Sequence, residues 1–210
     1  MERVIAKGAE ADLLEVEWCG LRAVKKIRRP KAYRHPQLDY ELRRSRTARE
    51  AHILHKAKAN GVPTPLVYQV DPVECSLTIE YVEGPKVRDL LPKLEAQRRA
   101  QIFKRIGFQA GVMHRSGIIH GDLTTSNMIQ SRGRPVFIDF GLGEVSYEVE
   151  KRGVDLNLMN RMLTSTHYQY REALLEAFIE GYRGALGEEA EEALNRMREI
   201  EKRGRYIEKD

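Results

Sequence analysis

Three side chains in one short stretch, Asp122, Asn127 and Asp139, have the types and the spacing to do chemistry on a phosphate. Asp122 and Asn127 stand five apart in "HGDLTTSN", a run dense in turn residues. Asp139 closes a hydrophobic run, and Gly141 lets the chain turn sharply after it. Two carboxylates and an amide oxygen are hard ligands, the kind that Mg²⁺ takes together with phosphate oxygens. With Asn127 and Asp139 assigned to such an ion, Asp122 is left to orient a hydroxyl or a water. Phosphoryl transfer asks chiefly for positioning and charge neutralisation, which this set supplies.

The elements that must position these groups can be read on either side of them. Gly117 to Ile119 and Pro135 to Ile138 are brief, β-branched and bounded by turn residues, so they read as buried strands with the acids at their ends. Upstream, "VIAKGAEADLLEVEWCG" alternates around a glycine turn and "LRAVKKI" reads as a strand. "YELRRSRTAREAHILHKAKANG" reads as a helix ended by Gly61, with Leu42, Ile53, Leu54 and Ala57 as its apolar stripe. "PLVYQVD" and "CSLTIEYVEG" read as a strand pair. A helix over Leu94 to Arg115 carries Ile102, Ile106, Ala110 and Met113 at helical spacing. Two more helices are expected, Glu172 to Tyr182 and Glu188 to Lys202, with Gly204 breaking the last apolar stripe. The class is α+β: a β-rich first part followed by a largely helical second part.

A chain of 210 residues with 41% apolar composition can bury a real core, in one domain or two packed lobes. The net charge of +5 conceals an asymmetry, because Arg22 to Arg49 holds eleven basic and two acidic residues. That is a footprint for phosphates or an acidic partner, with Arg43, Arg44 and Arg46 as candidate contact residues. Cys19 and Cys75 are too few for a disulfide framework and form no CxxC pair, which points to a reducing compartment. His52 and His55 are three apart with no third ligand, so they read as exposed helix histidines. No apolar run approaches a membrane span and the N-terminus is not shaped as a signal peptide, so a cytoplasmic location with no membrane partner is expected.

"HGDLTTSN" followed by "DFG" at Asp139 to Gly141 resembles the catalytic loop and metal-binding motif of the protein-kinase superfamily. The resemblance implies ATP and Mg²⁺, with Asp122 as the base-like residue and Asn127 and Asp139 as metal ligands. It makes Glu50 in "RTAREA" the helix glutamate that holds a strand lysine against the nucleotide phosphates. "RAVK" favours Lys25 for that lysine, and counting back from "YRHP" favours Lys26, so both stand. "IEYVEG" is similar to a hinge in which the backbone of Glu80 and Val82 reads adenine beside Ile79. "KGAEA" is a reduced glycine-rich loop, with Gly8, Ala9, Glu10 and Ala11 facing the phosphates.

The departures narrow the reading. Gly121 replaces the arginine that usually receives a phosphorylated activation loop, and Thr124 replaces a lysine common in serine/threonine kinases. Only twelve residues separate Gly141 from Val154, with no APE motif, so the platform for peptide substrates is expected to be missing. Asp155 looks like the buried aspartate that braces the catalytic loop; a helix N-cap is its plainer reading.

Taken together, "GAEA", "PKAYRHPQLD", "RTAREA", "HGDLTTSN" and "IDFGLG" resemble the p53-related protein kinase family, small atypical kinases that are subunits of the KEOPS tRNA-modifying assembly. The resemblance implies a bilobal kinase-like fold with an N-lobe over 1–83, a reduced C-lobe over 84–202 and a basic tail over 203–210. It implies a serine/threonine kinase and ATPase that supports threonylcarbamoylation of adenosine in tRNA. It places a threonylcarbamoyltransferase subunit at the C-lobe, aided by Arg203, Arg205 and Tyr206 of the tail, and a small regulatory subunit at the N-lobe. A small-molecule phosphotransferase of the aminoglycoside or choline kinase kind shares the HGD loop, but the chain has no spare length for a substrate pocket. A scaffold has no need of all three ligands. RIO-type kinases are a further relative, set apart because their metal aspartate does not sit in a DFG.

Overall fold

Strand alternation and turn chemistry build the first part. The computed structural model describes residues 3–207, the side chains of 204–207 excepted. β1 (Arg3–Lys7), β2 (Ala11–Trp18) and β3 (Leu21–Arg28) form an antiparallel meander. The β2–β3 turn is the pair Cys19 and Gly20, at φ 48° and 79°, the left-handed geometry that matches the twist of a two-residue hairpin. β4 (Val67–Asp71) and β5 (Ser76–Glu80) complete a five-stranded sheet in the order β1-β2-β3-β5-β4. Between β3 and β4 runs α1 (Pro36–Ala59), which starts four residues before the expected Tyr40 because Pro36 occupies its first turn, where no amide is needed. Gly61, at φ 80°, follows its end. Ile53, Leu54 and Ala57 are buried, while Leu42 is half-buried and His52 and His55 are exposed.

The second part is helical. α2 (Val87–Leu90) and α3 (Ala96–Arg115) precede the short strands β6 (Ile118–Ile119), β7 (Met128–Ser131), β8 (Arg134–Phe137) and β9 (Glu144–Val145). β7 pairs with β8, and β6 with β9. α4 (Val149–Thr166), α5 (Arg171–Leu186) and α6 (Glu189–Ile207) follow. α3 and α5 approach so closely that a Cβ on Gly107 would meet the Phe178 carbonyl oxygen at 1.9 Å, and one on Gly181 the Lys104 oxygen at the same distance. One apolar cluster runs from Leu54 and Leu77 through Phe103, Phe137 and Phe140 to Phe178 and Leu194, so both parts share a core.

The α+β, two-part fold is as expected from the sequence, with differences in the later helices as well as in α1. α4 is a full helix, which makes Asp155 a mid-helix residue rather than an N-cap. α6 continues through Gly204 to Ile207, so the expected tail from 203 is helical over its described part. A glycine costs an α-helix interior only about 1 kcal/mol, less than a continuing helix can absorb. No helix among the described residues is long and apolar enough to cross a membrane.

Candidate active site

The lysine is decided by which way β3 faces. Side chains alternate along a strand, so Lys26 and Arg28 share the face turned to α1 and Lys25 takes the other. Lys26 Nζ donates to Glu50 Oε1 at 2.7 Å and to Asp139 Oδ1 at 2.6 Å. Lys25 instead reaches Glu74 at 2.6 Å on the outer edge. Of the two candidates, Lys26 is therefore the one that joins the acids. Burial alone would depress its ammonium, but the carboxylates of Glu50 and Asp139 outweigh that and hold it above the ordinary lysine value.

On the opposite side, Asp122, Asn127 and Asp139 converge as their spacing implied. Asn127 Nδ2 donates to Asp122 Oδ2 at 2.7 Å and to the Asp122 carbonyl at 3.1 Å. This turns its amide oxygen away from Asp122. Asp139 sits at φ 61°, a left-handed conformation uncommon outside glycine and a form of strain that clusters at functional sites. Burial would raise its carboxyl, but Lys26 and the Gly141 amide hold it below the usual range.

The loop carrying Asp122 is fixed from beneath. The backbone amides of His120 and Gly121 donate to Asp155 Oδ2 and Oδ1 at 2.8 and 2.9 Å, and His114 Nε2 lies 3.3 Å from Oδ2. Tyr182 Oη lies 2.8 Å from His114 Nδ1, so the ring is held between the Tyr182 hydroxyl and the Asp155 carboxylate. Asp155 is wholly buried, and its contacts with His114 and His120 outweigh the burial and keep its carboxyl low. The His120 ring packs 4.4 Å from the Phe140 ring, which ties the HGD loop to the DFG turn. Gly121, at φ 79°, has no room for a side chain, because a Cβ there would meet the Leu142 carbonyl oxygen at 2.3 Å.

A cavity of 520 Å³ opens between these groups, lined by Gly8 to Ala11, Lys26, Arg28, Arg34, Arg46, Asp122, Asp139 and Gly141. The glycine loop borders it, with one correction: the Gly8 amide donates to Ala11 O at 3.0 Å, closing the turn rather than facing a phosphate. The Glu10 carboxylate likewise turns to Arg46 (3.2 Å) and Lys31 (3.6 Å). Glu80 and Val82 line a separate cavity of 490 Å³ with Arg22, Lys58 and Tyr68. The Glu80 amide is taken by Leu66 O at 2.8 Å, so it is not free to read a base. A larger groove of 620 Å³ between α3 and α5, around Phe108, contains none of these acids.

The basic stretch looks different once folded. Arg22, Lys25, Arg29, Lys31, Arg43 and Arg46 pair with Glu15 and Glu83, Glu74, Asp12, Glu10, Asp39 and Glu10 in turn. Of the expected contact residues only Arg44 stands exposed with no carboxylate partner, joined by Arg49, among the described residues. Arg203 reaches back to Glu150 and Glu199 at 3.6 and 3.8 Å. The side chains of Arg205 and Tyr206 lie outside the described residues. Sequence reasoning passed over Arg28, whose Lys-x-Arg spacing on a strand was the available signal.

The RIO domain family matches residues 22–148, which include Lys26, Glu50, the HGD loop and the DFG turn. The chain is 42% identical to the KEOPS complex subunit Bud32 of Pyrococcus abyssi over 99% of its own length and 97% of that protein. The chain belongs to the Bud32 family of RIO-domain proteins. A probable serine/threonine-protein kinase BUD32 homolog of Archaeoglobus fulgidus is 40% identical over 96% of the chain and 95% of the relative. A probable bifunctional tRNA threonylcarbamoyladenosine biosynthesis protein of Methanothermobacter thermautotrophicus is 42% identical over 97% of the chain, which spans only 36% of that relative. The family is the atypical-kinase one the motifs pointed to, and the DFG that had set RIO-type kinases apart lies inside the matched span.

Proposed function

We propose that the chain transfers the terminal phosphoryl group of ATP, to a protein hydroxyl or to water, with the aid of Mg²⁺. The observation that carries this is Lys26 Nζ shared between Glu50 and Asp139, across a cavity from an Asp122 already hydrogen-bonded to Asn127. The donor set fits a hard cation: the Asp139 carboxylate and the free amide oxygen of Asn127 would hold it, and the open side of the cavity remains for phosphate oxygens. Bound there, the ion would neutralise charge on the phosphates and polarise the bond being broken. Lys26 binds phosphate oxygens as a point charge, and Glu50 keeps its stem in line. Asp122, steadied by Asn127, orients the acceptor hydroxyl and takes its proton.

The names of the relatives support a setting for this chemistry, a KEOPS assembly and the biosynthesis of threonylcarbamoyladenosine in tRNA; in the proposed setting a partner performs the acyl transfer. Residues 1–83 and 84–202 serve as the two lobes, the transferase partner binds the second with Arg203, Arg205 and Tyr206, and a small regulatory subunit binds the first. Cytoplasmic location follows from that role. Asp139→Ala is expected to abolish ATP turnover with the fold intact, since it removes a half-exposed carboxylate and no core volume. Turnover near the wild-type rate in that variant would overturn the metal assignment.

A further inference from the structure

Two buried cations, rather than one, hold the carboxylate of Glu50. Arg28 Nη2 donates to Glu50 Oε2 at 2.6 Å while Lys26 takes Oε1, so each oxygen has its own partner. The Arg28 side chain is only 6% exposed and also reaches the Arg46 carbonyl on α1 at 3.4 Å. Its Nη2 lies 3.4 Å from where a Cβ on Gly141 would stand, against the DFG turn.

Resting on the phosphoryl-transfer reading above, we propose that Arg28 is a positioning residue that fixes Glu50, and through it keeps Lys26 aimed at the phosphates. Lys26 divides its charge between Glu50 and Asp139. Once Asp139 turns to a cation and Lys26 to a phosphate, the lysine's hold on Glu50 weakens, because an ammonium on a flexible stem is a movable point charge. The guanidinium is different. It is planar, remains charged, and is rooted two residues along the same strand, so its bond to Oε2 persists and stops the carboxylate from rotating. β3 and α1 are thus fastened by two bonds to one carboxylate, of which one does not depend on the ligand.

The test measures ATP turnover and ADP affinity in the full chain. A wild-type chain that neither binds ADP nor turns over ATP would end the phosphoryl-transfer reading itself, whatever Arg28 does. With an active wild type, R28M is expected to lower kcat by about 10–100-fold, the scale of a misplaced reacting group, with a much smaller change in ADP affinity. R28K, which keeps the charge and one hydrogen bond, should fall between. The double variant R28M/E50Q should be no slower than E50Q, since Arg28 acts through Glu50. Wild-type kcat in R28M, or a loss confined to KM, overturns the proposal. Should R28M fail to fold, the pair E50Q and R28M/E50Q decides: equal kcat supports it, and a double variant about tenfold slower than E50Q overturns it by giving Arg28 a direct contact with the nucleotide.

Discussion

Glu50 on α1 and Asp155 on α4 are both buried, yet their partners differ in kind. Glu50 is held by the side-chain cations Lys26 and Arg28 of β3. Asp155 is held by the backbone amides of His120 and Gly121, with His114 behind it. Side-chain cations can exchange partners when a phosphate or a metal arrives. Backbone amides of a loop cannot do so without unfolding the loop. On the proposed reading, the pairs that Lys26 makes with Glu50 and Asp139 are the ones that respond to the ligand. The Asp155 contacts of the second part are set when the chain folds.

The strongest way to break that contrast is Asp155→Ala. It leaves two amides and an imidazole without their buried acceptor, and losing such a charged partner typically costs about 3–5 kcal/mol. Chemical denaturation should show that loss together with the disappearance of ATP turnover. Glu50→Gln should cost less stability, since Lys26 keeps the Asp139 carboxylate. If the Glu50 variant proves the less stable of the two, the roles assigned to the two halves are reversed.

Asp122→Asn probes the pre-set half without loosening it. Turnover should fall by ~10²–10⁴-fold, the usual worth of a placed acid or base. ADP affinity should change little, because Asp122 faces the acceptor and its neighbour Asn127 can still bond to the Asp122 carbonyl. Loss of affinity in step with rate would make Asp122 a ligand of the nucleotide complex instead.

These contrasts also explain what was legible in the sequence. Asp122, Asn127 and Asp139 lie within one supersecondary unit, β6 to β9, whose turns are written in neighbouring glycines, so their convergence could be read directly. Lys26 could not be separated from Lys25, because the facing of β3 is set by partners far along the chain: Lys26 lies opposite Leu13 and Leu77. α4 escaped notice because its inner face holds Arg152, Asp155, Asn157 and Asn160, which interrupt the apolar period that signals a helix. The basic stretch looked unpaired for the same long-range reason, since Glu10, Asp12, Glu15, Glu74 and Glu83 come to it from other strands and turns.

Acidity should divide the halves a third way. Burial holds His120 below the ordinary histidine value, outweighing the nearby Asp155, and burial with Arg88 does the same for His167. The unfolded chain takes up these protons as pH falls through about 6.5 and the folded chain does not. Stability from this source is therefore complete above that pH and declines below it. Further acid then reaches Asp155 and Asp139, whose lowered values place their contribution above the ordinary aspartate range, of about 3.9, and its loss below. Lys26 works the other way, its raised value keeping its contribution until pH climbs through the folded value above about 10.4. The acid limb thus belongs mainly to the second part of the chain, while the alkaline limb draws on both, because burial also raises the Tyr182 hydroxyl of α5 above the ordinary tyrosine value. Denaturation midpoints at pH 8, 6.5 and 5 should decline in that order, less steeply in His167→Gln. A flat profile from 8 to 5 would mean that the buried histidines do not set the acid limb.

The smallest effect expected is on the outer face of α1. Its inner face draws Lys26 and Arg28 onto Glu50, while Arg43 and Arg46 are engaged by Asp39 and Glu10, so reversing those two would disturb the fold as well as any surface contact. Arg44 and Arg49 are exposed, without a carboxylate partner among the described residues, and can be reversed with little structural cost. They are five apart and so not on one helix row, which means that they would meet separate phosphates and act nearly independently. If the face touches tRNA, Arg44→Glu with Arg49→Glu should flatten the slope of log affinity against log salt by about 0.7–0.9 for each phosphate no longer neutralised, since each neutralised phosphate releases its own counterion. ATP turnover should stay unchanged, because neither residue borders the cavity that holds Lys26 and Asp139. An unaltered salt slope would make this face a solvated one, and the response to ligand would then belong to the inner face of α1 alone.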